Sequence, residues 1–432
     1  MKHWRRHIGW LMGGMLMLLL SGCASSPEEQ EAEPEKEKPV LKFYVFAPNQ
    51  PIVTRGDIGD VDASEAEKAV NSLHVWVFES SDGKLVGHVS LSDPSMNDQL
   101  DEADPSIVGK LVTMGVSDEF ATKMASETKP TVDVYVMANV TPYNCGLSLD
   151  GGSSRADLEA ACIEHKTTGG DFFGVTALTD AVMPVPESGL PMSGVLKGMP
   201  IGGESPVFKV KASNEENAGM AIVQLVRAVS KIRFIFTKSI TLANQTNLSV
   251  KSITLDGGVL PKQENLFLSG PYNTPEGSNV CRVKNETEYN DAATLVSNVP
   301  YDKIYACDNP SEYLYTGNEN EGTGLSKGQA YEEKINDGLT VKDGQTNADL
   351  SELGRFYLRE SDRAIKGQIT YSMESPGENK TATFEMKGAG DFTRNHTWIV
   401  YAYFVGTSGL VLNVVNVKAW DPKEGSHTVY NW

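Results

Sequence analysis

The sequence predicts an all-β protein built as two β-sandwiches in tandem. Three observations carry this. Short apolar runs alternate with a period of two, as in Leu73, Val75 and Val77 or Val132, Val134 and Val136, the spacing of a half-buried strand. Clusters of Gly, Pro, Asn, Asp and Ser separate these runs, and convincing helices are few. The chain has 432 residues, and two sandwiches of ordinary domain size fit that length.

The N-terminus reads as a leader, a tether and one strand. Ile8–Leu20 is an apolar run behind Lys2, Arg5 and Arg6, and Leu20-Ser21-Gly22-Cys23 follows at once. A positive start, a run of about a dozen apolar residues and small residues at the cleavage point mark a bacterial export signal. The run is too short to span a bilayer comfortably. The cysteine straight after a small pair is a bacterial lipobox, so Cys23 is expected to be acylated and to become the new N-terminus. Ala24–Pro39 is almost all Glu, Lys, Pro, Ser and Ala, a solvated tether that has no apolar surface to bury. Val40–Ala47 then reads as a strand with Leu41, Phe43 and Val45 on one face. Pro48 and Pro51 end it. The loop after it exposes Arg55 before Gly56, a bond that suits a trypsin-like, Arg-specific protease. A lipid-tethered strand upstream of a cuttable loop is a strand that can be removed from a finished fold.

Charge bounds the partners. The formal net charge is −19. Removing residues 1–23 takes off Lys2, Arg5 and Arg6 and moves it to −22. Cutting after Arg55 takes off six Glu against three Lys and one Arg and leaves −20. Such a chain repels nucleic acid and anionic membranes, because phosphate binding needs a basic face. Beyond Cys23 there are four cysteines: Cys145, Cys162, Cys281 and Cys307. Neighbours in sequence suggest two local bridges, three pairings are formally open, and an exported protein permits disulfides.

After Gly56 the elements follow in order. Residues 60–70 read as a helical turn or loop. Asn71–Phe78 is a strand, Asp82-Gly83 a hairpin turn, and Lys84–Leu91 the returning strand. Residues 92–128 are mixed, with a short helix over Gly115–Ser126 and Ser117 as its N-cap. Thr131–Val140 is a strand; residues 141–190 are irregular; Leu190–Gly194 and Ser205–Val210 are extended. The polar break Ser213–Gly219 is read as the domain boundary. Ala221–Phe236 reads as one long strand, because its β-branched residues outweigh a helical pattern. Strands recur at Leu248–Leu255, Gln368–Ser372, Thr381–Met386, Thr397–Val405 and Leu410–Trp420, and Ser426–Trp432 is a last extended piece. The turn-rich stretch 256–365 is unparsed.

No motif for catalysis stands out. The seven histidines are scattered and none lies in His-Glu-x-x-His. No nucleophile elbow, P-loop or dinucleotide fingerprint occurs. No metal or cofactor is expected, and the chain is read as a non-enzyme.

Two features ask for a function. Taking Val40–Ala47 out of a sandwich opens a groove between two strand edges that recruit any available strand. At the other end, Leu410–Trp420 and Ser426–Trp432 are two apolar extended segments. They read either as the last strands of the second sandwich or as donors that fill the groove of a neighbouring copy. Donor and acceptor on different surfaces of one molecule make a head-to-tail contact that builds a filament. The candidate donor residues are Leu410, Leu412, Val414, Trp420, Val429 and Trp432.

These residues together resemble the fimbrillins of Bacteroidales, shaft subunits of type V pili. The resemblance rests on the lipobox, on Thr54-Arg55, and on Leu73-His74-Val75-Trp76-Val77-Phe78 before an Asp-Gly hairpin. It rests further on Val132–Asn139, Leu190-Pro191-Met192-Ser193-Gly194, Leu225–Ile232 and Arg394-Asn395-His396-Thr397-Trp398. It implies two tandem transthyretin-like Greek-key sandwiches. It implies export as an outer-membrane lipoprotein, cleavage after an arginine by a surface protease, and replacement of the lost strand by the C-terminal segment of another subunit. The organisation expected is a signal peptide over 1–23, a propeptide with tether and removable strand over 24–55, an N-terminal sandwich over 56–217 and a C-terminal sandwich over 218–432. Its partners are other copies of the chain, tip and anchor subunits, and the protease. The competing readings are a tip or anchor relative, and a monomeric glycan-binding lipoprotein that would need an exposed platform from Trp76, Trp398, Trp420 and Trp432.

Overall fold

The computed structural model describes residues 38–47, 65–100, 108–124, 126, 129–141, 145–164, 185, 187–215, 218–242, 248–267, 288–296, 304–317, 327–338, 355–373, 378–386, 394–395, 397–405 and 409–417. Among the described residues the chain is all-β in character, and no helix is long and apolar enough to cross a membrane.

The first sandwich takes its strands in chain order. They are β1 (Val40–Phe46), β2 (Ser72–Glu79), β3 (Leu85–Ser92), β4 (Asp98–Gln99), β5 (Val108–Gly115), β6 (Val132–Ala138), β7 (Cys162–Glu164), β8 (Met192–Met199), β9 (Ile201–Glu204), β10 (Val207–Val210), β11 (Ile222–Gln224) and β12 (Val226–Arg227). Three short helices interleave: α1 (Glu65–Lys68), α2 (Asp118–Met124) and α3 (Arg155–Glu159). One sheet has the order β4-β5-β1-β10-β9, with β11 also on β1; the other runs β12-β8-β6-β2-β3. The alternating residues meet between them. Leu41, Phe43 and Val45 pack with Leu73, Val75, Val77, Val132, Val134 and Val136 in one buried cluster. Ser117 caps α2 as its sequence predicts, its hydroxyl accepting from the Phe120 N–H at 3.2 Å.

The second sandwich comprises β13 (Ser230–Ser239), β14 (Ser249–Leu255), β15 (Gln263–Asn265), β16 (Ala293–Val296), β17 (Tyr305–Cys307), β18 (Arg355–Leu358), β19 (Ile365–Ser372), β20 (Lys380–Met386), β21 (Thr397–Val405) and β22 (Gly409–Val417), with helix α4 (Lys327–Gly338). One sheet runs β17-β13-β21-β22, with β18 also on β13; the facing sheet runs β16-β14-β19-β20. Phe234 and Phe236 of β13 fill the core between them. The other face of β13 is covered too: Ile235 packs with Tyr331 and Ile335 of α4, and Arg233 donates to Glu332 at 2.7 Å.

Three sequence expectations are corrected. Ala221–Phe236 is three strands in three sheets: β11 pairs with β1, β12 with β8, and β13 opens the second sandwich. All three share one β-branched composition, so only their partners distinguish them. Strand pairing therefore carries the first sandwich through Arg227, past the polar break at 213–219. Residues 92–128, read as mixed with a short helix, also contain β5, a full neighbour of β1.

The sandwiches are joined by a packed seam. Trp76, Phe78, Tyr135 and Met137 point away from the first core and belong to the same buried cluster as the second core. The Tyr135 and Phe267 rings meet edge to face at 5.2 Å. A ribbon of β7 with β15 crosses the seam, the Leu266 N–H donates to the Ala161 carbonyl at 2.8 Å, and the Ser193 hydroxyl donates to the Leu266 carbonyl at 2.6 Å.

Candidate functional site: the seat of strand β1

β1 is a central strand, not an edge. On one side it pairs antiparallel with β5, Leu41 opposite Met114 and Phe43 opposite Val112. On the other it pairs parallel with two strands in succession: Val40 to Lys42 with β10, and Tyr44 to Phe46 with β11. Backbone bonds continue beyond the strand on both sides, with Val40 N–H to the Pro206 carbonyl at 2.8 Å and Leu225 N–H to the Phe46 carbonyl at 2.8 Å. Gly109 explains the close approach of β5, since a Cβ there would stand 2.4 Å from the Val45 carbonyl oxygen.

Both faces of β1 are used. Leu41, Phe43, Val45 and Ala47 are fully buried on the inner face. Tyr44 and Phe46 on the outer face pack against Leu100 and Ile222. Burying a large apolar side chain stabilises by about 1.5–3 kcal/mol. Leu41, Phe43 and Val45 together therefore contribute about 5–9 kcal/mol, an upper bound because an unfolded chain already buries part of its surface. A first sandwich without β1 would also leave the ladder groups of β5, β10 and β11 without partners, and buried backbone groups need partners. Sequence reasoning found the strand and its inner face. It did not find β5 and β11 as the walls of the seat; the Val45–Gly109 approach is visible only once the strands are paired.

The candidate donor residues divide. Leu410, Leu412 and Val414 lie on β22, opposite Phe404, Ala402 and Val400 of β21, and pack half-buried against the second core. Among the described residues β22 has a single strand neighbour, so it is the edge of its sheet there. Trp420, Val429 and Trp432 lie outside the described residues, as do Cys23, Arg55, Gly56 and Cys281.

The expected local bridge between Cys145 and Cys162 is not formed. The Cys145 thiol donates to the Thr141 carbonyl at 3.1 Å, and the Cys162 thiol reaches the Ala160 carbonyl and the Asn265 side chain, both at 3.4 Å. Cys162 belongs to the seam ribbon, which draws it toward the second sandwich and away from Cys145. Cys307 is a buried thiol on β17. The two described tryptophans of the glycan-platform reading are buried: Trp76 is fully enclosed, donating to the Asp150 carbonyl at 2.8 Å, and Trp398 is 5% exposed. Among the described residues no His, Cys, Asp and Glu side chains cluster to hold a metal ion.

Residues 52–225 match the family model of the major fimbrial subunit protein (FimA). Over that stretch the chain is similar to the fimbrial subunit family. The matched region begins after β1 and ends between β11 and β12, so it spans nearly the whole first sandwich. No curated protein matches the chain. Among solved structures, it is similar to a fimbrial assembly protein from Parabacteroides distasonis, at 15% identity and a TM-score of 0.41 over 89% of this chain and 97% of that one. It is similar to a fimbrilin from Porphyromonas gingivalis, at 13% identity and a TM-score of 0.41 over 88% and 97%. It is also similar to the tip fimbrial protein Mfa3 from Porphyromonas gingivalis, solved with a C-terminal truncation, at 13% identity and a TM-score of 0.42 over 88% and 99%.

Proposed function

We propose that this fimbrial subunit is a shaft protein of a cell-surface fimbrium, polymerised by protease-triggered strand exchange, and that it supports adhesion without enzymatic activity. It is exported as a lipoprotein acylated at Cys23, held at the outer membrane, and cut between Arg55 and Gly56 by an Arg-specific protease. The observation that carries the reading is the seat of β1. A strand that is central in its sheet, with its whole inner face buried, lies just upstream of the cuttable arginine. Removing it creates a groove that must be refilled.

The filler is the C-terminal segment of another copy. Leu410, Leu412 and Val414 repeat the Leu-x-apolar-x-Val alternation of Leu41, Phe43 and Val45. A strand with that spacing puts its large side chains where those of β1 were. Among the described residues β22 has one strand neighbour and half-buried side chains, packed against β20 and α4, so its release costs less than release of a central strand. Trp420, Val429 and Trp432 extend the donor beyond it. Tip and anchor subunits complete the assembly.

The test is the N-terminus and intact mass of the protein sheared from cells. A start at Gly56 without lipid, in an SDS-resistant ladder, is the result expected of a shaft subunit. An acylated Cys23 with the tether intact would assign the chain to an anchor or a stand-alone lipoprotein and would end the strand-exchange reading.

A further inference from the structure

In the sequence Arg55 lies between two buried segments. One is β1, ending at Phe46. The other is α1, beginning at Glu65. On α1, Glu67 is completely enclosed, twelve positions after Arg55 in the sequence. Its carboxylate accepts from the Tyr357 hydroxyl of β18 and lies 3.5 Å from the Lys231 ammonium of β13. Both partners belong to the second sandwich. The Glu67 backbone carbonyl accepts from Arg227 Nε at 3.1 Å, and Arg227 Nη1 donates to the Asn395 side chain at 3.2 Å. Asn395 sits in a left-handed turn at φ 59°, and its N–H donates to the Val229 carbonyl at 2.7 Å.

Arg227 and Lys231 flank the crossing from one sandwich to the other, and neither is more than 1% exposed. Two cations buried within five residues are expensive unless paired and hydrogen-bonded. Glu67 brings a carboxylate to that place from a segment remote in sequence. Packing alone does not explain why these particular side chains occupy the seam: apolar residues of like size would fill it without any desolvation cost. Charge pairing ties α1 to the seam: the Glu67 carboxylate meets Lys231 and the Tyr357 hydroxyl, and its backbone carbonyl accepts from Arg227.

We infer that Glu67 is an interdomain latch, which fastens the segment following the cut loop to the second sandwich and holds the two sandwiches in one orientation. The latch and β1 lie on opposite sides of Arg55. Within the strand-exchange reading, on which this consequence rests, cleavage there releases β1 and leaves the latch in the mature subunit. The sandwiches then keep their relation while the groove stands open.

The test does not require cleavage at Arg55 in vivo, so its failure and the failure of the shaft reading are distinct. The full chain is compared with its Glu67→Gln, Lys231→Met and double Glu67→Gln/Lys231→Met variants by trypsin digestion with mass mapping, and by calorimetry. In the wild-type chain Arg227 and Lys231 resist trypsin even after the Arg55 loop is cut. Glu67→Gln should raise cleavage at Arg227 by about tenfold or more, since breaking one half of a buried pair is strongly destabilising, and should split unfolding into two transitions. The double variant, with both members of the Glu67–Lys231 pair removed, should recover much of the resistance at Arg227, a non-additivity that loss of packing alone would not produce. If Glu67→Gln does not accumulate as folded protein, Tyr357→Phe, which deletes one hydroxyl, is read in its place. Unchanged cleavage at Arg227 and one unchanged transition in these variants would overturn the latch, as would strictly additive effects in the double variant.

Discussion

Phe43 of β1 lies opposite Val112 of β5, and both are buried in the first core. This pair joins the part of the chain expected to be discarded to a part expected to be kept. Phe43→Ala in the uncut chain leaves a cavity at a site walled on both sides by paired strands, which cannot collapse freely. The expected loss is about 3–5 kcal/mol, measured by urea unfolding. In assembled filaments from which β1 has been removed, the same substitution should have no effect on stability. A filament weakened by Phe43→Ala would mean that β1 stays in place.

The donor assignment rests on β22. Leu412→Asp with Val414→Asp puts two charges on the face that alternates like β1, and a buried unpaired carboxylate is strongly disfavoured. Shearing and gel filtration should recover soluble monomers. Deleting Ser426–Trp432 is the companion experiment. Filaments of normal length from both variants would remove these segments as donors.

Asn139 shows why a motif can be structural. Its φ is 58°, and its side chain binds four backbone groups. It accepts from Asn71 N–H at 2.8 Å and Ser72 N–H at 3.4 Å, and donates to Ala69 at 2.7 Å and Leu190 at 2.8 Å. Asn139→Ala strands these groups in a buried site, with an expected cost of about 2–4 kcal/mol in denaturant unfolding. Gly189→Ala should also destabilise, because Gly189 has φ 82° and an added Cβ would stand 2.4 Å from Asn139 Nδ2.

His74 and His88 predict a pH dependence. Their rings flank Trp76, and both approach the Ser90 hydroxyl, at 2.9 Å and 3.3 Å. Burial holds both below the ordinary histidine value, reinforced at His74 by the neighbouring His88 and opposed at His88 by Asp150. A depressed histidine binds fewer protons in the folded than in the unfolded state. Its contribution is therefore present above about pH 6.5 and is lost as the pH falls below that value. The thermal midpoint should drop between pH 7.5 and 5.5, and His74→Gln should reduce the drop. An equal drop in the variant would place its origin elsewhere.

Much of the fold is legible in local pattern. The inner faces of β1, β2 and β6 follow the period of two, and the Asp82-Gly83 turn and the Ser117 cap are set by neighbours in sequence. What escapes is whatever depends on partners. Glu67 sits in a polar stretch with nothing to distinguish it from the solvated carboxylates around it. Arg227 and Lys231 look like the exposed side of a strand, yet both are enclosed at the seam. β5 escapes because its Gly-Lys-Leu-Val-Thr-Met-Gly run alternates weakly, and only β1 alongside it makes it a strand.

By itself the sequence determined the strand over Val40–Phe46 and its inner face. It also raised the expectation of a lipobox, a tether and a cut site around that strand, because contiguous signals need no fold to be read. Tertiary structure alone decided that this strand is central rather than peripheral, and that the run from Ala221 to Phe236 is divided among three sheets. It also brought a glutamate from beyond the cut loop to two lysine- and arginine-bearing strands at the seam. Hydrogen-bond ladders and buried charges are satisfied across the chain, between residues more than a hundred positions apart, and no local pattern encodes which distant partner will supply the missing group.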